Sequence, residues 1–226
     1  SPVTEGPQEC AAPSVLNVKD IVEFADTVDL GRVEGVLKRQ IERNMAIAER
    51  GLAEGSGAGI GRVLLSGGAD DLITRARAYA AAGSDARMSG MEMPVVIVSG
   101  SGNQGITASV PVVVWARERG FSEEKLLRAL IVSDLVTVHQ KTGIGRLSAF
   151  CGAVCAGCGA GAAIAYMEIG GYEAVAHALV NALAIISGMV CDGAKASCAA
   201  KIASAVEAGI LDRKSTRLNS SHVSQS

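Results

Sequence analysis

LSAFCGAVCAGCGAGAAIAYM, residues 147 to 167, is a run of small and apolar side chains with no charge and no proline. Such a composition forms helix that other helices approach closely, because Gly, Ala and Cys put little bulk between two backbones. Two further Ala-rich segments follow, Tyr172 to Val190 and Lys195 to Ala208, separated by Gly170-Gly171 and Cys191-Asp192-Gly193. Both breaks are helix-stop and turn signals. The run at 147–167 matches the roughly 20 residues that cross a bilayer. It lacks flanking Lys/Arg clusters and an aromatic belt at both ends, so no membrane association is expected.

Upstream, Val18, Ile21, Val22, Phe24 and Ala25 give an amphipathic helix with Asn17 as its cap. Val33 to Leu52 repeats that pattern, with Lys38, Arg39, Glu42 and Arg43 on the solvent side. Ala69 to Ala82 predicts a helix ended by Gly83-Ser84, and Ile106 to Arg119 another. Ser122 before Glu123-Glu124 caps a helix that runs to His139. Met93 to Val98 is a short β-branched run that reads as a buried strand or a helix start. The fold class is therefore mainly α, a compact bundle of Gly/Ala-rich helices with at most one short strand.

The chain has 226 residues, 49% of them hydrophobic, enough for one substantial core. A net charge of -2 and seven aromatics (one Trp, three Tyr, three Phe) supply neither a basic stripe nor a stacking platform, which excludes nucleic acid as a partner. Residues 1–13 read as a disordered or truncated segment and 14–212 as one domain; 213–226 is a polar tail of Arg, Ser, Asn and Thr that does not continue the core. The chain reads as a fragment. No secretory leader is visible at Ser1, so a reducing cytoplasm is expected, which favours thiolate ligands over disulfides.

Five of the six cysteines fall between 151 and 198. Cys151, Cys155 and Cys158 at i, i+4 and i+7 share one face if they lie on one helix, where free cysteines are ordinarily small core residues. Their C-x3-C-x2-C spacing also copies the signature of enzymes that cleave S-adenosylmethionine, but in a Gly/Ala helix rather than a loop. Cys191 and Cys198 would stand about 10 Å apart on one continuous helix. They serve one centre only if the chain turns at Asp192-Gly193 and starts its helix afterwards. Thiolates beside a helix N-terminus are stabilised by the free N–H groups there. Zinc is the simplest alternative, although Cys191 and Cys198 form no matching second pair.

SGSGNQG, residues 99 to 105, exposes several backbone N–H groups before a helix and suits an anion such as a carboxylate. Gly100, Gly102 and Gly105 also complete a GxGxxG, but no second strand follows to make a dinucleotide site. His139 and Lys141 stand at a helix end, where they commonly serve carbonyls.

Three contiguous strings, SGSGNQGITASVPVVVWA (99–116), VHQKTGIGRLSAFCGAVCAGCGAGAAIAY (138–166) and NALAIISGMVCDGAKASCAAKIASAVEAGIL (181–211), closely resemble the L-cysteine desulfidase family, itself related to the α chain of iron-sulfur L-serine dehydratases. The likeness runs from about Val15 to Leu211. It implies a lyase of amino-acid catabolism that converts L-cysteine to pyruvate, ammonia and sulfide, with L-serine as the alternative substrate. It also implies a 4Fe-4S cluster on Cys151, Cys191 and Cys198, with Cys158 in reserve for Cys151. By the same resemblance Asn103, Gln104 and Gly105 orient the substrate and His139 and Lys141 border its pocket. The catalytic base is expected in an N-terminal part with no counterpart here, so the fragment alone would turn over slowly or not at all. Self-association or a partner subunit remains open, as does a non-catalytic protein whose cysteines are core residues.

Overall fold

The structure, a computed structural model, describes residues 16–68, 71–144 and 148–211. The segments 1–13 and 213–226, and Cys10, lie outside them. Asn17 starts helix α1 (Val18–Thr27), its side-chain oxygen accepting the Asp20 N–H at 3.0 Å, as its position before the first apolar residue predicts. A 3-10 turn at Leu30–Arg32 leads into α2 (Glu34–Glu54), followed by α3 (Ile60–Ser66) and α4 (Leu72–Met88). Then come α5 (Gly102–Arg119), α6 (Glu123–Ile144), α7 (Gly152–Glu168), α8 (Gly171–Ile186) and α9 (Ser197–Leu211). Ser122 accepts the Lys125 N–H at 3.2 Å at the head of α6.

Helix α7 is the axis of the bundle. Every residue from Ala153 to Met167 is buried, and α5, α6, α8 and α9 all pack on it. The glycines explain how four helices fit around one. A methyl group on Gly159 would lie 2.4 Å from Thr137 Oγ1 and 2.6 Å from the Ser133 carbonyl of α6. On another face, a methyl on Gly161 would lie 2.0 Å from the Gly209 carbonyl of α9. Backbone touches backbone at both crossings, so only hydrogen fits there. Helix α4 is the second hub, with Ala76, Ala78, Ala80, Ala81, Ala82 and Ala86 buried against α2, α3, α5 and α9.

Four local expectations change. Residues 91–97 form no strand, and at Val96 the partner is a side chain: buried Asn44 accepts the Val96 N–H at 2.8 Å and donates to its carbonyl at 3.1 Å. Among the described residues no sheet forms, and the one β-bridge joins Phe150 to Val190. Helix α4 runs through Gly83-Ser84 to Met88, since Gly83 gives Ile106 and Ala48 room to close on it, and burial outweighs propensity there. Helix α5 begins at Gly102, inside the glycine-rich stretch, with Ser101 capping the Gln104 N–H. Finally, α7 begins after Cys151, which is its N-cap in extended conformation and so does not share the helical face of Cys155 and Cys158. No helix among the described residues is long and apolar enough to cross a membrane.

Candidate functional site

The turn expected at Cys191-Asp192-Gly193 is present, and it is what brings the cysteines together. Helix α8 stops at Ile186, Gly188 and Gly193 take the left-handed backbone (φ +90° and +94°), and α9 restarts at Ser197. Between them the chain lies antiparallel to residues 149–151. The Cys151 N–H donates to the Met189 carbonyl at 3.0 Å, and the Cys191 N–H to the Ala149 carbonyl at 2.7 Å. Extended backbone alternates its faces, so Phe150 and Val190 point one way, to solvent, and Cys151 and Cys191 the other. Cys198 comes from the first turn of α9, its thiol donating to the Gly193 carbonyl at 3.6 Å.

Cys151, Cys191 and Cys198 line one cavity of about 230 Å³. Arg87, Ser101, Asn103, Gly152 and Ile202 complete most of its wall. Three helices begin at this cavity: α5 at Gly102, α7 at Gly152 and α9 at Ser197. Each brings the positive end of its dipole, so negative charge is favoured there. Burial pushes the Cys151 thiol up, while the Ala153 N–H and the Lys201 charge pull it back. Lys201 holds the turn itself: its ammonium bonds the Asp192 carboxylate and donates to the Val190 carbonyl at 3.1 Å. That pairing keeps Asp192 below the usual carboxylate range and raises Lys201.

The remaining sequence-predicted residues divide. Asn103 is in the cavity wall. Gln104 is buried beside it: its oxygen accepts from the Ser99 N–H at 3.1 Å, and its amide nitrogen, facing Gly152, has no partner among the described residues. Gly105 serves packing, because a methyl there would lie 2.0 Å from the Val96 carbonyl. His139 and Lys141 are half-buried near the end of α6 and are not among the residues lining this cavity. Lys141 acts electrostatically on Cys155 instead. Cys155 faces a neighbouring, almost wholly apolar cavity of about 330 Å³, shared with Val154, Leu183 and Met189. Cys158 is fully buried and its thiol is pushed up to about 12 by desolvation. Among the described residues no group of three His, Cys, Asp or Glu side chains could hold a metal ion.

Sequence reasoning missed Arg87, Ser101 and Lys201. Arg87 reads as an ordinary cation in the last turn of α4. Nothing in its spacing from the cysteines signals the cavity, because α4–α5 packing brings it there.

The family model described as serine dehydratase alpha chain matches residues 8–222, and the chain belongs to that family. It is 62% identical over 197 residues to a UPF0597 protein of Desulfitobacterium hafniense, covering 87% of this chain and 46% of that one. UPF0597 proteins of Lachnoclostridium phytofermentans and Treponema denticola are 54% and 53% identical, each over 88% of this chain and 48% and 47% of their own length. The chain thus spans about half the length of the curated relatives it matches. No solved structure matches it.

Proposed function

We propose that this chain is the cluster-binding part of an iron-sulfur lyase that removes the β-substituent of L-cysteine, with L-serine as the alternative substrate. The observation that carries the reading is the convergence of Cys151, Cys191 and Cys198, from three separate segments, on one cavity where three helices begin. Packing alone gives no reason for it. Cys191 is exposed, and Cys198 partly so, whereas core thiols such as Cys158 are sealed.

The donor set fits a thiolate-held cluster. Each cysteine of a cluster binds a different iron, so its ligands stand further apart than those around a single ion. The helix N-termini compensate the charge of three thiolates. When bound, the 4Fe-4S group would supply a Lewis-acidic iron with an open position for the substrate. Cys151, Cys191 and Cys198 would hold it, with Cys151 favoured over Cys158 because Cys158 is sealed inside α7. Asn103 in the wall and the unpartnered amide of Gln104 would orient the polar groups of a small amino acid.

No carboxylate, imidazole or amine lines the cavity among the described residues, so the base that takes the α-proton comes from elsewhere. A partner subunit or domain that supplies it belongs to the same proposal, as does a cytoplasmic setting that keeps the thiols reduced.

The test is anaerobic reconstitution, reading iron, sulfide and visible absorbance per chain. Wild type is expected to become coloured, and Cys151→Ala, Cys191→Ala and Cys198→Ala each to stay colourless. Colourless wild type returns these cysteines to the core and removes the lyase assignment.

A further inference from the structure

Arg87 is the one cation in the wall of the three-cysteine cavity among the described residues. Its position is fixed by packing. The side chain passes over the first residue of α5, where a methyl on Gly102 would lie 2.4 Å from its Nε and 2.6 Å from Val95 Cγ2. Its hydrogen bond goes to Asn103 Oδ1, at 3.3 Å from Nη1. Among the described residues it pairs with no carboxylate, unlike Arg119 with Glu168 or Arg77 with Glu207. A guanidinium has five donors, so most of its fork is left for the cavity.

We infer that Arg87 receives the α-carboxylate of the small amino acid bound in this cavity, an assignment that rests on the reading above. A planar fork matches a carboxylate with two parallel hydrogen bonds, a geometry that a single sulfur cannot satisfy. Asn103 accepts from one edge of the guanidinium and thereby sets its rotation, leaving its own amide N–H groups to face the ligand. Arg87 and Asn103 together select an α-amino acid over the corresponding amine. The thiols stand on the other segments of the wall, so carboxylate recognition and cluster holding use separate residues.

The experiment compares L-serine with 2-aminoethanol, which differs only in lacking the carboxylate and carries no thiol to attack iron. Equilibrium dialysis of each labelled ligand is run against the reconstituted chain, together with iron per chain. Wild type is expected to prefer L-serine by about ten- to a hundredfold, the range for a hydrogen-bonded charge pair. Arg87→Met is expected to bring the two ligands near parity with iron unchanged. Arg87→Lys, which keeps the charge and the stem, retains part of the preference.

An unchanged preference in Arg87→Met overturns the assignment, and so does a wild type with no preference. Loss of iron in Arg87→Met, restored in Arg87→Lys, also overturns it and makes Arg87 a counter-charge for the thiolates. A wild type that takes up no iron yet prefers L-serine, with that preference lost in Arg87→Met, keeps Arg87 assigned and overturns the cluster instead.

Discussion

Cys158 and Cys151 lie seven residues apart, yet they occupy opposite situations. Cys158 sits inside α7, walled in by the helices packed on it, with its thiol pushed up to about 12. Cys151 caps the same helix, where the backbone is extended, an N–H points at the sulfur and a cavity opens beside it. Within one helix, then, position relative to the N-terminus separates a packing thiol from a candidate ligand. Burial raises both thiols, but only the second has a helix N-terminus beside it that would share the charge of a thiolate.

The strongest way to break this comparison is to delete the thiols one at a time. Cys151→Ala, Cys191→Ala and Cys198→Ala should each abolish cluster uptake, whereas Cys155→Ala and Cys158→Ala should bind a full complement of iron. Iron loss in the Cys158 variant, with Cys151→Ala still coloured, would reverse the assignment.

A smaller effect tests the packing side. Gly161→Ala drives a methyl into the Gly209 carbonyl and should cost about 1–3 kcal/mol, or roughly 3–10 °C in thermal melting. If melting is unchanged, backbone contact between α7 and α9 does not hold the bundle.

Asp134 on α6 is a partly buried group of another kind. Desolvation raises its carboxyl to about 7, against the hydrogen bond it accepts from Gln40 at 2.9 Å. The folded chain keeps this proton where the unfolded chain has lost it, so Asp134 makes stability fall as pH rises from about 4 to about 7. Asp134→Asn mimics the protonated form and should flatten that slope, gaining about 1–2 kcal/mol over wild type at pH 8 relative to pH 4. Urea melts at the two pH values measure it, and parallel pH profiles for the two proteins would show that the carboxyl titrates normally.

The smallest effect is expected at the turn. Lys201→Met removes the cation that ties Asp192 and Val190 together and should weaken iron binding about two- to fivefold, as surface ion pairs do, without altering the fold. Complete loss of iron would instead make Lys201 essential to the site.

Much of the helix pattern was legible locally. The Asn17 and Ser122 caps act within one turn of the residues that mark them, and Asp192-Gly193 turns where a left-handed glycine permits it. The end of α4 was not legible, because Gly83-Ser84 stops a helix only until α2 and α5 close around it. Nor was the pairing of 149–151 with 189–191, which joins residues forty positions apart through backbone groups common to every amino acid.

By itself, then, the sequence determined a mainly helical chain and the small-residue helix read at 147–167, and its resemblance picked out a candidate thiol set from six cysteines. Capping and periodicity act over a few residues and are written there. Tertiary structure alone decided that Arg87 joins those thiols, that Gln104 keeps an unpartnered amide beside Gly152, and that Gly105 is used for packing. Each depends on how closely α4, α5 and α7 approach, and that distance is set by side chains far apart along the chain.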